Sequence, residues 1–333
     1  GLIVQPNRYT LSINLLSINL IKGLLMTNTL HITLSHEAGY QTLGEHLATI
    51  DDLKTYDAVT IFCDLYPGRS PDDYYMKEFY PNDYPDDTHE IKSYKPPELV
   101  LTGIEQLAHI TSLELSWRAP IESLDILSPL VNLRRLLLNQ TDELLNIDAL
   151  ALMPGLTTLL VIHGESLSSN FYHSLPKLRS LKSLYFEDID SLTDLSFIAE
   201  MPNLDALSII GCISALSQVE AAQVMNIKAL DFYPSNNTVE GNDNSRLSNF
   251  NALEWLNVDF WFGEFDLSFI SGCEKLKHLS VRSKEPIRNL RLLNRMTALE
   301  SVKLSDCLGK IDREGYKKEI VAAHPSIEFE FVH

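Results

Sequence analysis

Residues 178–209, LRSLKSLYFEDIDSLTDLSFIAEMPNLDALSI, carry one pattern twice. Leu178, Leu181, Leu184 and Phe186 form an apolar ladder, and Met201, Leu204, Leu207 and Ile209 repeat it 23 residues later. Working outward, the same ladder starts at Leu107, Leu130, Met153, Val224, Phe250, Cys273 and Met296. First anchors therefore stand 23, 23, 25, 23, 23, 26, 23 and 23 residues apart, nine copies at a near-constant period. Such a period marks a chain in which each unit buries its apolar side only against its neighbours.

The last two apolar residues of each ladder flank a single residue, as in Leu184-Tyr185-Phe186, which is the alternation of a short strand. Between ladders lie sparse anchors such as Ile121-Leu124-Leu127, Leu192-Leu195-Ile198 and Ile287-Leu290-Leu293. A unit of this length leaves room for a 3₁₀ turn or a short helix on the return. The expected fold is an α/β solenoid, with a curved parallel β-sheet on the concave face and short helices or 3₁₀ turns on the convex face.

Four segments follow. Residues 1–25 lack a basic start and a small-residue cleavage site, and read as an extension ahead of Met26. Residues 26–106 read as an N-terminal cap and a degenerate repeat (Leu53, Tyr56, Val59, Ile61), interrupted by an acidic, Tyr-rich insert at 64–97. Residues 107–305 hold the nine repeats. Residues 306–333 read as a C-terminal cap, with a helix over 311–323 and a last strand through Ile327, Phe329 and Phe331.

The net charge of −18, from 27 basic and 45 acidic residues, disfavours nucleic acid and anionic membrane and suits a basic partner. Four cysteines, Cys63, Cys212, Cys273 and Cys307, show no metal spacing and suggest a reducing compartment. Cys212 and Cys307 follow Ile209 and Leu304 by three, where a side chain faces the turn after the strand. The other two fall on or beside ladder positions. HExxH, GxSxG, GxGxxG and phosphate-loop motifs are absent from the sequence, and the ten histidines show no metal-ligand spacing. No catalytic residue, cofactor or metal is expected, and the chain reads as a non-enzyme.

The ladder and its return stretches resemble the leucine-rich repeat superfamily over residues 107–305. Thr193-Asp194-Leu195-Ser196-Phe197-Ile198 followed by Met201-Pro202-Asn203-Leu204 is similar to the short bacterial repeat of internalins. The resemblance implies a curved solenoid that binds proteins through its concave face. The asparagine that usually follows the ladder is replaced by Arg118, Thr141, Gly164, Ile189, Ser235, Trp261 and Lys284, which implies a less uniform superhelix.

Residues flanking the inward pair should face the concave side. Trp117, Tyr185, Tyr233 and Trp255 are expected to form a broken aromatic stripe there, with Glu114, Glu187, Asp188, Asp231 and Asp259 adding negative charge. Aromatics of this kind are enriched at interfaces. In the insert, Asp72, Asp73, Tyr74 and Tyr75 combine carboxylates that steer with rings that bury. The function expected is a non-catalytic, protein-binding scaffold of bacterial type. Its most concrete version is a cytoplasmic immunity protein (antitoxin) that covers a basic toxin. The alternative is a secreted or surface-attached effector or adhesin that binds a host protein and uses residues 1–25 for targeting. Neither version involves nucleic acid or a membrane as partner.

Overall fold

The computed structural model describes residues 28–35, 42–64, 100–117, 122–141, 144–164, 167–212, 220, 223–233, 244–260, 265–283, 287–305 and 313–332. Twelve strands form one parallel sheet in chain order: β1 Thr29–Ser35, β2 Ala58–Asp64, β3 Ser112–Trp117, β4 Arg135–Asn139, β5 Thr158–Ile162, β6 Ser183–Glu187, β7 Ala206–Ile210, β8 Ala229–Tyr233, β9 Trp255–Phe260, β11 His278–Ser283, β13 Ser301–Ser305 and β14 Glu328–Val332. Two-residue strands β10 (Phe265–Asp266) and β12 (Ile287–Arg288) pair separately on the return side. The fold is the leucine-rich-repeat solenoid that the ladder predicts.

The register converts the ladder into columns. Leu113, Leu136, Leu159, Leu184, Leu207, Leu230, Leu256 and Leu279 pair directly from strand to strand, and all are buried. Leu115, Leu138, Val161, Phe186, Ile209, Phe232, Val258 and Val281 form the column beside them. Each rung is thus sealed above and below by an equivalent rung, which is why a fixed period suffices to build a core. The residues just before the strands pass the ladder on: Thr157 N–H donates to Arg134 C=O (2.9 Å), Lys182 to Thr157 (2.9 Å) and Asp205 to Lys182 (3.0 Å).

The returns are mainly 3₁₀ turns, such as Asp148–Leu152, Ser196–Glu200 and Leu290–Arg295. The α-helices among the described residues are α1 (Leu43–Leu47), α2 (Ser169–Ser174) and α3 (Arg313–Ala323). Helix α2 accounts for the 25-residue interval: Ser168 caps it by accepting from the Phe171 N–H (3.3 Å), and Phe171 fills the core. In the last segment, α3 and β14 fall where the sequence expects a helix and a strand. Tyr316 of α3 donates to the Leu290 carbonyl (2.8 Å), tying the helix to the last return.

At the other end, β1 and β2 extend the same parallel sheet and pair in phase with the later columns, Ile32 with Ile61 and Ile61 with Leu115. Residues 1–25 and the body of the 64–97 insert, including Asp72, Asp73, Tyr74 and Tyr75, lie outside the described residues, as does Cys307. Cys63, Cys212 and Cys273 are buried free thiols. Burial pushes the Cys212 and Cys273 thiols up to about 12 and Cys63 higher still. Cys212 donates to the Ile210 carbonyl (3.3 Å), the turn-facing role expected from its spacing.

Candidate functional site

Strand alternation gives the concave face a central row: Thr60, Glu114, Leu137, Leu160, Tyr185, Ser208, Asp231, Asn257, Ser280 and Lys303, each opposite the next. The row is segregated by chemistry. Leu137, Leu160 and Tyr185 pack as an apolar cluster of their own, separate from the interior core, with Ile162 and Ile210 against it. Sequence reasoning passed over these leucines. In RRLLLN and TLLVI three and four apolar residues run together, and a ladder reading absorbs Leu137 and Leu160. Only the pleat separates it from the core rungs.

The expected aromatic stripe does not line up. Tyr185 is in the central row, Tyr233 lies in the row on the C-terminal side (paired with Ile210) and Trp255 in the row on the N-terminal side (paired with Ala229 and His278). The backbone of Trp117 pairs with Cys63; its side chain lies outside the described residues. Tyr185 is only 7% exposed, because its phenol turns along the strand and donates to Glu187 Oε2 (2.5 Å). Trp255 is half-buried, with its indole stacked on the His278 imidazole at a centroid distance of 3.6 Å.

Several of the carboxylates expected on this face are enclosed. Asp231 is 1% exposed and Glu187 9%. Asp231 accepts from Ser208 Oγ and Asn257 Nδ2, both at 3.0 Å, and Asn257 Nδ2 also donates to the Tyr233 hydroxyl (2.5 Å). Burial pushes the Asp231 carboxyl up to about 6 against those stabilising hydrogen bonds. Burial likewise raises Glu187; the Tyr185 hydroxyl opposes the shift, Asp188 adds to it and His163 lowers it. The same enclosure drives the Tyr185 phenol far above its ordinary range. Asp259, also buried, accepts from Arg282 Nη1 (3.2 Å). Glu114 is half-buried, accepts from Thr60 Oγ1 (3.4 Å) and sits near Arg135, whose guanidinium is lowered by burial and raised by that carboxylate. These groups are enclosed because side chains on a concave sheet crowd their neighbours in register, a depth that alternation alone does not reveal.

At the C-terminal lip of the strands the backbone turns left-handed. Gln140 (φ 57°), His163 (54°), Asp188 (51°) and Gly211 (71°) occupy equivalent positions, and each donates its N–H one repeat onward, to Ile162, Glu187, Ile210 and Tyr233. One step later, at the position that usually holds asparagine, Thr141, Ile189 and Cys212 are all buried. Among the described residues no helix is long and apolar enough to cross a membrane.

No protein-family model matches the chain, and no curated protein matches it either. Among solved structures it is similar to an internalin (inlF) of Listeria monocytogenes, at 18% identity and a TM-score of 0.41, over 70% of this chain and 76% of that one. It is also similar to a leucine-rich-repeat protein of Leptospira interrogans, at 14% identity and a TM-score of 0.28, over 87% of this chain and 95% of that one.

Proposed function

We propose that the protein is a non-catalytic scaffold that binds a basic protein in its concave face, and that it serves as a bacterial cytoplasmic immunity protein. The observation that carries the reading is the juxtaposition of the Leu137–Leu160–Tyr185 strip with the Glu187 and Asp231 carboxylates, whose hydrogen bonds come from hydroxyl and amide donors. The partly exposed Ile162 and Ile210 packed on this strip offer apolar contact area, and enclosed negative charge focuses a field that steers a cationic partner. The net charge of −18 acts in the same direction. The half-exposed Trp255 and, in the insert, Asp72, Asp73, Tyr74 and Tyr75 are the further contact residues of this reading. A basic toxin, such as a nuclease whose cleft is lined by cations, has the matching surface.

The test is co-expression with the product of the adjacent gene. Protection from its toxicity and a stable complex are expected, with protection lost in Leu160→Ala plus Trp255→Ala while circular dichroism stays unchanged. A harmless neighbour that forms no complex overturns the immunity reading. Undiminished binding by the double variant overturns the concave-face assignment.

A further inference from the structure

The lip of the concave face holds a second constellation, which shares Glu187 with the proposed contact face. His163 directly follows β5, Glu187 ends β6 and Asp188 follows it. One nitrogen of His163 and one carboxylate oxygen from each acid all lie within 4.8 Å of one another. His163 Nε2 stands 3.4 Å from Asp188 Oδ2. Around a tetrahedral Zn²⁺ with bonds of about 2.0–2.2 Å, two ligand atoms are separated by roughly 3.3–3.5 Å. The observed pair already spans such an edge.

The surrounding groups orient the candidate ligands as a metal site requires. Asn139 Nδ2 donates to Ser116 Oγ (3.3 Å), which aims Asn139 Oδ1 at His163 Nδ1 (3.2 Å). An amide oxygen only accepts, so Nδ1 carries the hydrogen and Nε2 faces the carboxylate. A ligating histidine held by an acceptor on its other nitrogen is the usual outer-shell arrangement. Tyr185 donates to Glu187 and fixes that carboxylate in a position more than nine-tenths buried. The left-handed backbones of His163 and Asp188 bring both side chains to the same lip. Gly211 leaves room for the second: a Cβ there would fall 1.9 Å from Asp188 Oδ1. Two acceptors facing each other are held together by a proton or by a cation, and the second carboxylate, Glu187, favours the cation.

We propose that His163, Glu187 and Asp188 bind a divalent transition metal of the zinc class, with a water completing the tetrahedron. An imidazole and two carboxylates neutralise the ion's charge, and three protein ligands are too few for calcium, which takes six to eight oxygens. The chelator-treated full-length chain is titrated with Zn²⁺ and, separately, Co²⁺. Zn²⁺ is expected to raise the midpoint of thermal unfolding, and Co²⁺ to give the intense visible bands of tetrahedral coordination. His163→Asn and Asp188→Asn, whose new side chains tolerate a positive φ, should each weaken binding at least tenfold while the metal-free variants unfold as the parent does. Absence of a Zn²⁺ shift in the parent overturns the proposal. So does equal affinity in both variants, which marks adventitious binding elsewhere.

Discussion

The centre of the concave face and its C-terminal third share one backbone and one set of interior rungs, yet their outer faces differ in kind. Between β4 and β8 the outward residues are enclosed: Leu160 is 3% exposed and Asp231 1%. Beyond β9 they are open pairs. Lys303 Nζ and Glu330 bridge β13 and β14 at 3.0 Å with both side chains partly in water. At the boundary between the two, Arg282 of β11 reaches the buried Asp259 of β9. The difference teaches that a repeat protein separates architecture from recognition by face rather than by domain. The rungs are interchangeable, whereas the row between them is free to become apolar, acidic or cationic along its length.

The largest expected effect comes from breaking the shared part. Leu159 is fully buried between Leu136 and Leu184, and Leu159→Ala should cost about 2–5 kcal/mol by denaturant titration. A loss below about 1 kcal/mol would mean that the rungs are loosely packed. Next comes the enclosed carboxylate. The Asp231 carboxyl is raised from 3.8 to about 6, so the folded state holds a proton more tightly than the unfolded one. Its contribution is greatest below pH 4 and is lost as pH rises through 6. Asp231→Asn should therefore stabilise the chain at pH 7 by up to about 3 kcal/mol, with the gain vanishing near pH 4. A gain independent of pH would show that Asp231 is not enclosed as described.

A smaller effect is expected at the lip. Gly211→Ala places a Cβ at φ 71° and against Asp188, and should cost about 1–2 kcal/mol in thermal unfolding. No cost would mean that the turn relaxes to a negative φ. The smallest effect belongs to the open third, where Lys303→Met should change stability by less than about 1 kcal/mol, shrinking further in high salt. A larger loss would erase the contrast between the two regions.

The rungs were legible because leucine at a fixed period has one explanation, and the strands fell where Leu184-Tyr185-Phe186 and its equivalents placed them. The outer face was only half legible. Alternation placed Tyr185, Glu187 and Asp231 on the correct side but gave no depth, since enclosure arises from Ser208, Asn257 and Tyr233 arriving in register from neighbouring repeats. Leu137 and Leu160 were hidden inside apolar runs. The lip constellation carried no signal at all. His163 lies 24 residues before Glu187, a spacing that acquires meaning only once β5 and β6 pair.

Every strand bonds only to its sequence neighbours in the sheet, so the molecule behaves as a linear chain of coupled units with two ends. Opening one repeat in the middle divides the array into two shorter stacks, whereas opening a terminal repeat leaves one. Amide exchange should therefore be slowest around β5–β8 and quicken toward both ends, which puts the acidic and apolar row at the most persistent point of the filament.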